Sequence, residues 1–109
     1  MPETLPMIVD FQDVGKTDVA LVGGKGANLG EMAQAGFPVP SGFIVTSAAY
    51  YHVIELNGLK PKIKSILVNL DIHDIHSLNE TSRQIKSLIS RAKIPDQLAL
   101  DIIKRYLKF

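Results

Sequence analysis

The sequence contains no cysteine, which excludes disulfide bonds, thiol catalysis and thiolate metal sites. It has no apolar run close to the roughly 20 residues of a membrane-spanning helix. It also has little charge of one sign, because 12 Lys and Arg residues face 11 Asp and Glu residues, for a net charge of +1. This balance argues against nucleic acid or an anionic membrane as a partner. Since the N-terminus lacks the features of a secretory signal, we expect a cytoplasmic protein.

The composition is typical of one small globular domain. The 109 residues are 46% hydrophobic and 21% charged, which is enough for one core but not for two. Residues 1–6 are expected to be loose, and β-type runs predict short strands near residues 7–9, 19–22 and 43–46. Most later apolar residues recur at helical spacing, so we predict a mostly helical α+β fold with two or three short strands and about four to five helices. So little sheet cannot cover all these helical faces, and we expect a missing partner.

Local capping patterns predict where some of these helices begin and end. Thr46 or Ser47 is expected to cap a helix that stops at Gly58, because hydroxyl side chains favour helix starts and glycine favours helix ends. Further along, Ser77 and Glu80 match the capping box S-x-x-E. This pattern predicts a helix that begins directly after the serine.

The most informative segment is Gly23-Gly24-Lys25-Gly26, which follows the apolar run at residues 19–22. We interpret it as a strand, a glycine turn and a helix from Ala27, with Gly36 placed to end that helix. The first N–H groups of a helix lack partners, and the helix dipole favours an anion there. Glycines allow close approach of the backbone, and Lys25 adds a mobile positive charge. The segment therefore suggests a contact with a triphosphate.

A plainer interpretation is also open, in which the glycines only form a tight turn and Lys25 is solvated. The established phosphate motifs do not fit. Leu29 stands where the dinucleotide motif G-x-G-x-x-G needs its third glycine, and Gly26 stands where a Walker A loop needs Ser or Thr. Asn28 can hydrogen-bond a phosphate or cap its own backbone. Glu31 can pair with the lysine or face water.

One further cluster carries metal-ligating atoms, and it consists of Asp71, His73, Asp74 and His76. The spacing favours a solvated connector between helices over a metal site, because neighbouring side chains of an extended segment point in opposite directions. The histidines have no supporting neighbour for general-base chemistry. We therefore expect no metal ligand and no catalytic residue in this chain.

Two blocks in tandem carry a family resemblance. Residues 22–32, with the glycine-lysine segment, and residues 36–46, with two prolines before a β-type run, closely resemble the start of the phosphoenolpyruvate synthase (pyruvate, water dikinase) family. Pyruvate phosphate dikinases and rifampicin phosphotransferases share this region. The resemblance extends from about residue 19 to the end of the sequence.

The resemblance implies the N-terminal part of an ATP-grasp domain that binds ATP with Mg²⁺. In the family, the lysine of this motif contacts the nucleotide phosphates. That role falls on Lys25, with Gly23, Gly24 and Gly26 as the surrounding backbone. Asn28 is added as a candidate phosphate contact from its place on the first helical turn.

The family's activity implies what lies elsewhere in a full-length member. ATP phosphorylates a histidine, which passes the phosphoryl group to pyruvate, and AMP and phosphate remain. Neither the histidine domain nor the pyruvate domain has a counterpart in this sequence, so residues 1–109 are expected to be inactive alone. The full-length enzyme is expected to be a homo-oligomer that binds pyruvate and phosphoenolpyruvate through the absent domains. Two alternatives stay open: a segment of a rifampicin phosphotransferase or pyruvate phosphate dikinase, and a non-catalytic free-standing binding module.

Overall fold

The computed structural model describes residues 5–109, so our expectation for residues 1–4 lies outside the described part of the chain. The described elements are two short strands, five α-helices and two 3₁₀ turns that precede the first helix. In chain order they are β1 (Ile8–Asp10), the 3₁₀ turns Phe11–Asp13 and Lys16–Asp18, α1 (Val19–Gln34), β2 (Phe43–Val45), α2 (Ser47–Leu56), α3 (Leu59–Val68), α4 (Ile75–Arg91) and α5 (Asp96–Leu107). The predicted mostly helical α+β fold is confirmed.

The predicted strand at residues 19–22 is wrong, because these residues form the first turn of α1. A run of four apolar residues does not distinguish a buried strand from a helical turn by its periodicity alone. The 3₁₀ turn Lys16–Asp18 leads directly into Val19, which is half exposed and already has helical torsions. The chain therefore enters α1 as a helix and changes direction only at the glycines.

The sheet consists of β1 and β2, which pair antiparallel. Val9 lies opposite Ile44, and backbone hydrogen bonds extend the ladder at both ends. The Phe11 N–H donates to the Gly42 carbonyl at 3.1 Å, and the Thr46 N–H donates to the Met7 carbonyl at 2.9 Å. The predicted strands near residues 7–9 and 43–46 are thus confirmed to within a residue.

The described chain divides into two compact units, and the boundary in α2 falls after Tyr51. The first unit contains β1, α1, β2, the start of α2 and, from residue 95, α5. Its buried apolar side chains are small or branched: Val14, Ala27, Ala49 and Leu98. The Arg105 guanidinium pairs with the Asp10 carboxylate at 2.5 Å, and the rings of Phe43 and Phe109 stack with centroids 6.0 Å apart.

The second unit contains residues 52–94, with the end of α2 and helices α3 and α4. Gly58 has a φ of 61° and separates α2 from α3, as predicted. Next to it, the Asn57 amide donates to the Lys93 carbonyl and its oxygen accepts from the Lys93 N–H, both at 2.9 Å. Ile54 and Leu59 are the buried apolar residues of this unit.

The predicted capping box is wrong, because α4 begins one turn earlier than expected. Asp74 is its N-cap and accepts a hydrogen bond from the His76 N–H at 2.9 Å. The Ser77 hydroxyl instead accepts from the Asp71 N–H at 2.9 Å. Glu80 is hydrogen-bonded to Arg83, which lowers the pKa of the glutamate, but this exposed pair contributes little stability. Aspartate and serine are equally good N-caps, and Asp74 comes before Ser77 in the chain, so the helix begins after the aspartate.

Large apolar side chains are exposed on both units, including Phe37, Tyr51, Val68, Tyr106 and Leu107. This exposure agrees with the expectation of a missing partner, which stays a prediction. Among residues 5–109, no helix is both long enough and apolar enough to cross a membrane.

Candidate functional site at the break in helix α1

Helix α1 is interrupted at Gly23, whose φ of 78° and ψ of 169° lie outside the helical region. This combination is open almost only to glycine, because a Cβ atom makes it sterically costly. The i to i+4 hydrogen-bond ladder cannot run through such torsions. The helix therefore starts again at Gly24, and Lys25 lies in the first turn of the restarted segment.

The residues around this break are open to solvent. Gly23, Gly24, Lys25 and Asn28 are all exposed. Lys25 and Asn28 are three residues apart, so they are neighbours on the helix surface. Within residues 5–109, no carboxylate lies within salt-bridge distance of the Lys25 ammonium. An unpaired cation thus stands beside backbone N–H groups that begin a helix, which is an arrangement that favours an anion.

Gly26 differs from the other glycines of the segment because it is buried. A Cβ atom there would lie 2.9 Å from the Ile44 Cδ1 and 3.0 Å from the Val22 Cβ. Its missing side chain lets α1 pack closely against β2. Its N–H still belongs to the first turn of the restarted helix, so its role at a phosphate stays a prediction beside this packing role.

Gly30 lies one turn after Gly26 and allows a still closer approach. A Cβ atom at this position would lie 2.7 Å from the carbonyl carbon of Val14 and 2.9 Å from the carbonyl oxygen of Phe11. Both are backbone atoms, which side-chain rotation cannot move away. This role was not predicted from the sequence, although the i, i+4 spacing of two glycines on one helix is a signal that can reveal such a close-packed face.

Polar side chains of α1 also hold the segment that leads into it. The Glu31 carboxylate accepts from the Lys16 N–H at 2.8 Å. The Gln34 amide donates to the carbonyls of Gln12 and Val14, both at 3.0 Å. Glu31 therefore does not pair with the lysine of the glycine segment, which was one of its two expected roles. These contacts span 15 to 22 residues, and no local pattern in the sequence indicates them.

The connector between α3 and α4 does not form a ligand cluster. The Asp71 carboxylate accepts from the His73 N–H at 3.0 Å, and both histidines of this segment are exposed. Among the described residues, no group of three or more His, Asp or Glu side chains is placed to hold a metal ion. The four side chains singled out from the sequence are therefore not brought together.

Replacing Gly23 by alanine is expected to destabilise the first unit by about 1–3 kcal/mol, because the torsions at this position are strained for any side chain. Contacts with other parts of the unit do not contribute, since a Cβ atom at Gly23 meets no atom beyond its chain neighbours within 4 Å. Gly24→Ala is the matched control: it is equally open, is helical and should be neutral or slightly stabilising. Urea unfolding of the chain, followed by circular dichroism, measures both. Equal midpoints for the two variants would contradict the strained conformation at Gly23.

A helix start with an exposed lysine directly after a glycine break, in a small α+β unit, is the class of site that this geometry defines. Comparison with known proteins identifies the family. The model of the family described as "Pyruvate phosphate dikinase, AMP/ATP-binding domain" matches residues 19–109, and the chain belongs to this family.

The most informative similarities are to phosphoenolpyruvate synthases. A probable phosphoenolpyruvate synthase of Methanothermobacter thermautotrophicus is 45% identical over 96 residues, which are 88% of this chain and 14% of that protein. One from Methanocaldococcus jannaschii is 43% identical over 106 residues, 97% of this chain and 9% of that protein. The phosphoenolpyruvate synthase of Helicobacter pylori is 40% identical over 100 residues, 88% of this chain and 12% of that protein. The chain thus spans about a tenth of the length of these relatives.

Proposed function

We propose that residues 1–109 are the N-terminal portion of the ATP-binding domain of a phosphoenolpyruvate synthase. We call the longer protein to which this portion would belong the full-length synthase. It would use ATP and water to convert pyruvate to phosphoenolpyruvate, AMP and phosphate through a phosphohistidine. The family and the names of the relatives support this assignment. We place the phosphohistidine and the pyruvate site outside residues 1–109.

The role we propose for this portion is to hold the phosphates of ATP. The observation that carries it is the exposed Lys25 in the first turn after the break at Gly23, in a chain of an ATP-binding family. The ammonium group neutralises charge on the phosphates, and the N–H groups of Gly24 and Lys25 donate hydrogen bonds to them. Asn28, on the same helical face, adds a side-chain donor.

We assign no ligand for the Mg²⁺ that accompanies ATP in this proposal to residues 5–109. Among the described residues no suitable group of carboxylates or histidines exists, so the residues present do not fit a metal site. We therefore assign this portion the phosphate contacts alone and derive no step through the metal ion.

Isothermal titration with MgATP tests the proposal on two samples. Residues 1–109 alone are expected to bind ATP weakly or not at all, because one helix start and one lysine supply few of the contacts that a nucleotide site needs. The full-length synthase is expected to bind it at least tenfold more tightly and to form AMP when pyruvate is added. Micromolar affinity in the isolated chain would contradict the proposal that most of the ATP contacts lie outside residues 1–109. Absence of ATP binding in the full-length synthase would contradict the function itself.

A further inference from the structure

The hydroxyl of Ser47 makes a hydrogen bond that reaches from the start of α2 to the turn before the break in α1. It donates to the carbonyl of Ala20 with an oxygen–oxygen distance of 2.9 Å. Ser47 is not needed to cap α2, because the neighbouring Thr46 accepts from the Ala49 N–H at 3.4 Å and donates to the Pro6 carbonyl at 2.7 Å. The serine hydroxyl is therefore free for a contact outside its own helix.

The partner of this hydroxyl is a carbonyl that the break deprives of its usual donor. In a continuous helix the Ala20 carbonyl accepts from the N–H of Gly24, four residues later. The torsions of Gly23 turn that N–H away from the ladder. The Ala20 carbonyl lies at an exposed position, and there the Ser47 hydroxyl supplies the donor in place of water.

We infer that Ser47 is a positioning residue for the phosphate site, an inference that rests on the proposed function. By occupying the Ala20 carbonyl, its hydroxyl keeps the break at Gly23 open, and the N–H groups of Gly24 and Lys25 stay free for a phosphate. Glycine adopts helical and non-helical torsions with similar ease, so Gly23 can return to a helical conformation. Loss of the hydroxyl favours that return, and the Gly24 N–H then pairs with Ala20 again.

Amide hydrogen exchange of residues 1–109, measured by NMR, tests the positioning without ATP. In Ser47→Ala, exchange at Gly24 is expected to slow by about three- to tenfold, which corresponds to the net value of one hydrogen bond. Simple destabilisation has the opposite effect and speeds exchange. Ser47→Thr retains a hydroxyl and should restore fast exchange, and Ser41→Ala, which removes an exposed hydroxyl of the same unit, should change nothing. Unchanged or faster exchange at Gly24 in Ser47→Ala overturns the inference.

ATP affinity of the full-length synthase tests the consequence for binding. Ser47→Ala is expected to raise the Kd for ATP by about three- to tenfold, with Ser47→Thr close to the unmodified protein. If Lys25→Ala weakens ATP binding but Ser47→Ala does not, the inference is wrong and the proposed function stands. If neither variant weakens binding, the proposed function fails as well.

Discussion

Lys25→Ala is expected to reduce ATP-dependent phosphorylation by the full-length synthase by about 10²–10³-fold, the usual cost of removing one preorganised charge-stabilising donor. Phosphoryl transfer depends mainly on positioning and on neutralising the charge of the phosphate oxygens. The lysine is exposed and has no carboxylate partner among residues 5–109, so its ammonium group is free for that task. Steady-state assays of AMP formation with pyruvate measure the effect.

The same exposure predicts that Lys25→Ala leaves the fold intact, since surface substitutions of this kind change stability by no more than about 0.5 kcal/mol. Lys64→Ala removes another exposed lysine, from α3, and is the matched control, with an unchanged rate expected. Lys25→Arg separates charge from shape: it keeps the charge but presents a planar fork instead of a compact ammonium group. A normal rate in Lys25→Ala would exclude the lysine from the phosphate site.

Gly30→Ala is expected to destabilise the first unit by about 3 kcal/mol, at the upper end of the usual cost of overpacking. Its added methyl group would press on the backbone of Val14 and Phe11, and the 3₁₀ turns would have to move away from α1. Alanine normally stabilises a helix relative to glycine by about 0.5–1 kcal/mol, so the expected sign is the reverse of the intrinsic preference. Urea unfolding followed by circular dichroism measures the change.

Gly26→Ala provides the comparison for this variant. It makes the same chemical change one turn earlier, but there the close atoms are the side chains of Ile44 and Val22, and the end of the isoleucine can rotate away. We expect a smaller loss, by at least about 1 kcal/mol. If Gly30→Ala were as stable as Gly26→Ala, the close contact between α1 and the 3₁₀ turns would not exist in solution.

The sequence predicted those parts of the fold that local chemistry decides. Gly36 and Gly58 end helices in positive-φ conformations, as their positions after helical runs indicated. The strand at β2 follows two prolines that hold the chain extended. The fold class followed from the dominance of helical periodicity over β-type runs, and it is confirmed.

Local patterns failed where two of them competed or where distant residues decided the outcome. At residues 19–22 an apolar run suited a strand and a helix equally, and the preceding 3₁₀ turn selected the helix. At the start of α4, Asp74 preceded the predicted Ser77 cap.

The candidate site shows the same division between local and distant causes. An exposed lysine beside a glycine that interrupts regular structure was predictable from the segment itself, and its role at a phosphate stays a prediction. The predicted helix start at Ala27 is wrong, because the helix restarts at Gly24 and includes the lysine. The contacts of Glu31, Gln34 and Ser47 were not predictable, because each joins residues at least 15 positions apart. Such pairings depend on the packed arrangement of the unit and leave no periodic trace in the sequence.

The first unit is built from two separate stretches of chain, and this has a consequence for biosynthesis. Its buried Leu98 and the Arg105 that pairs with Asp10 are translated only after the whole of residues 52–94. When the segment with Lys25 emerges from the ribosome, the α5 residues that complete the first unit have therefore not yet been translated. The unit closes around β1 only when α5 leaves the exit tunnel, so the intervening helices have time to fold first.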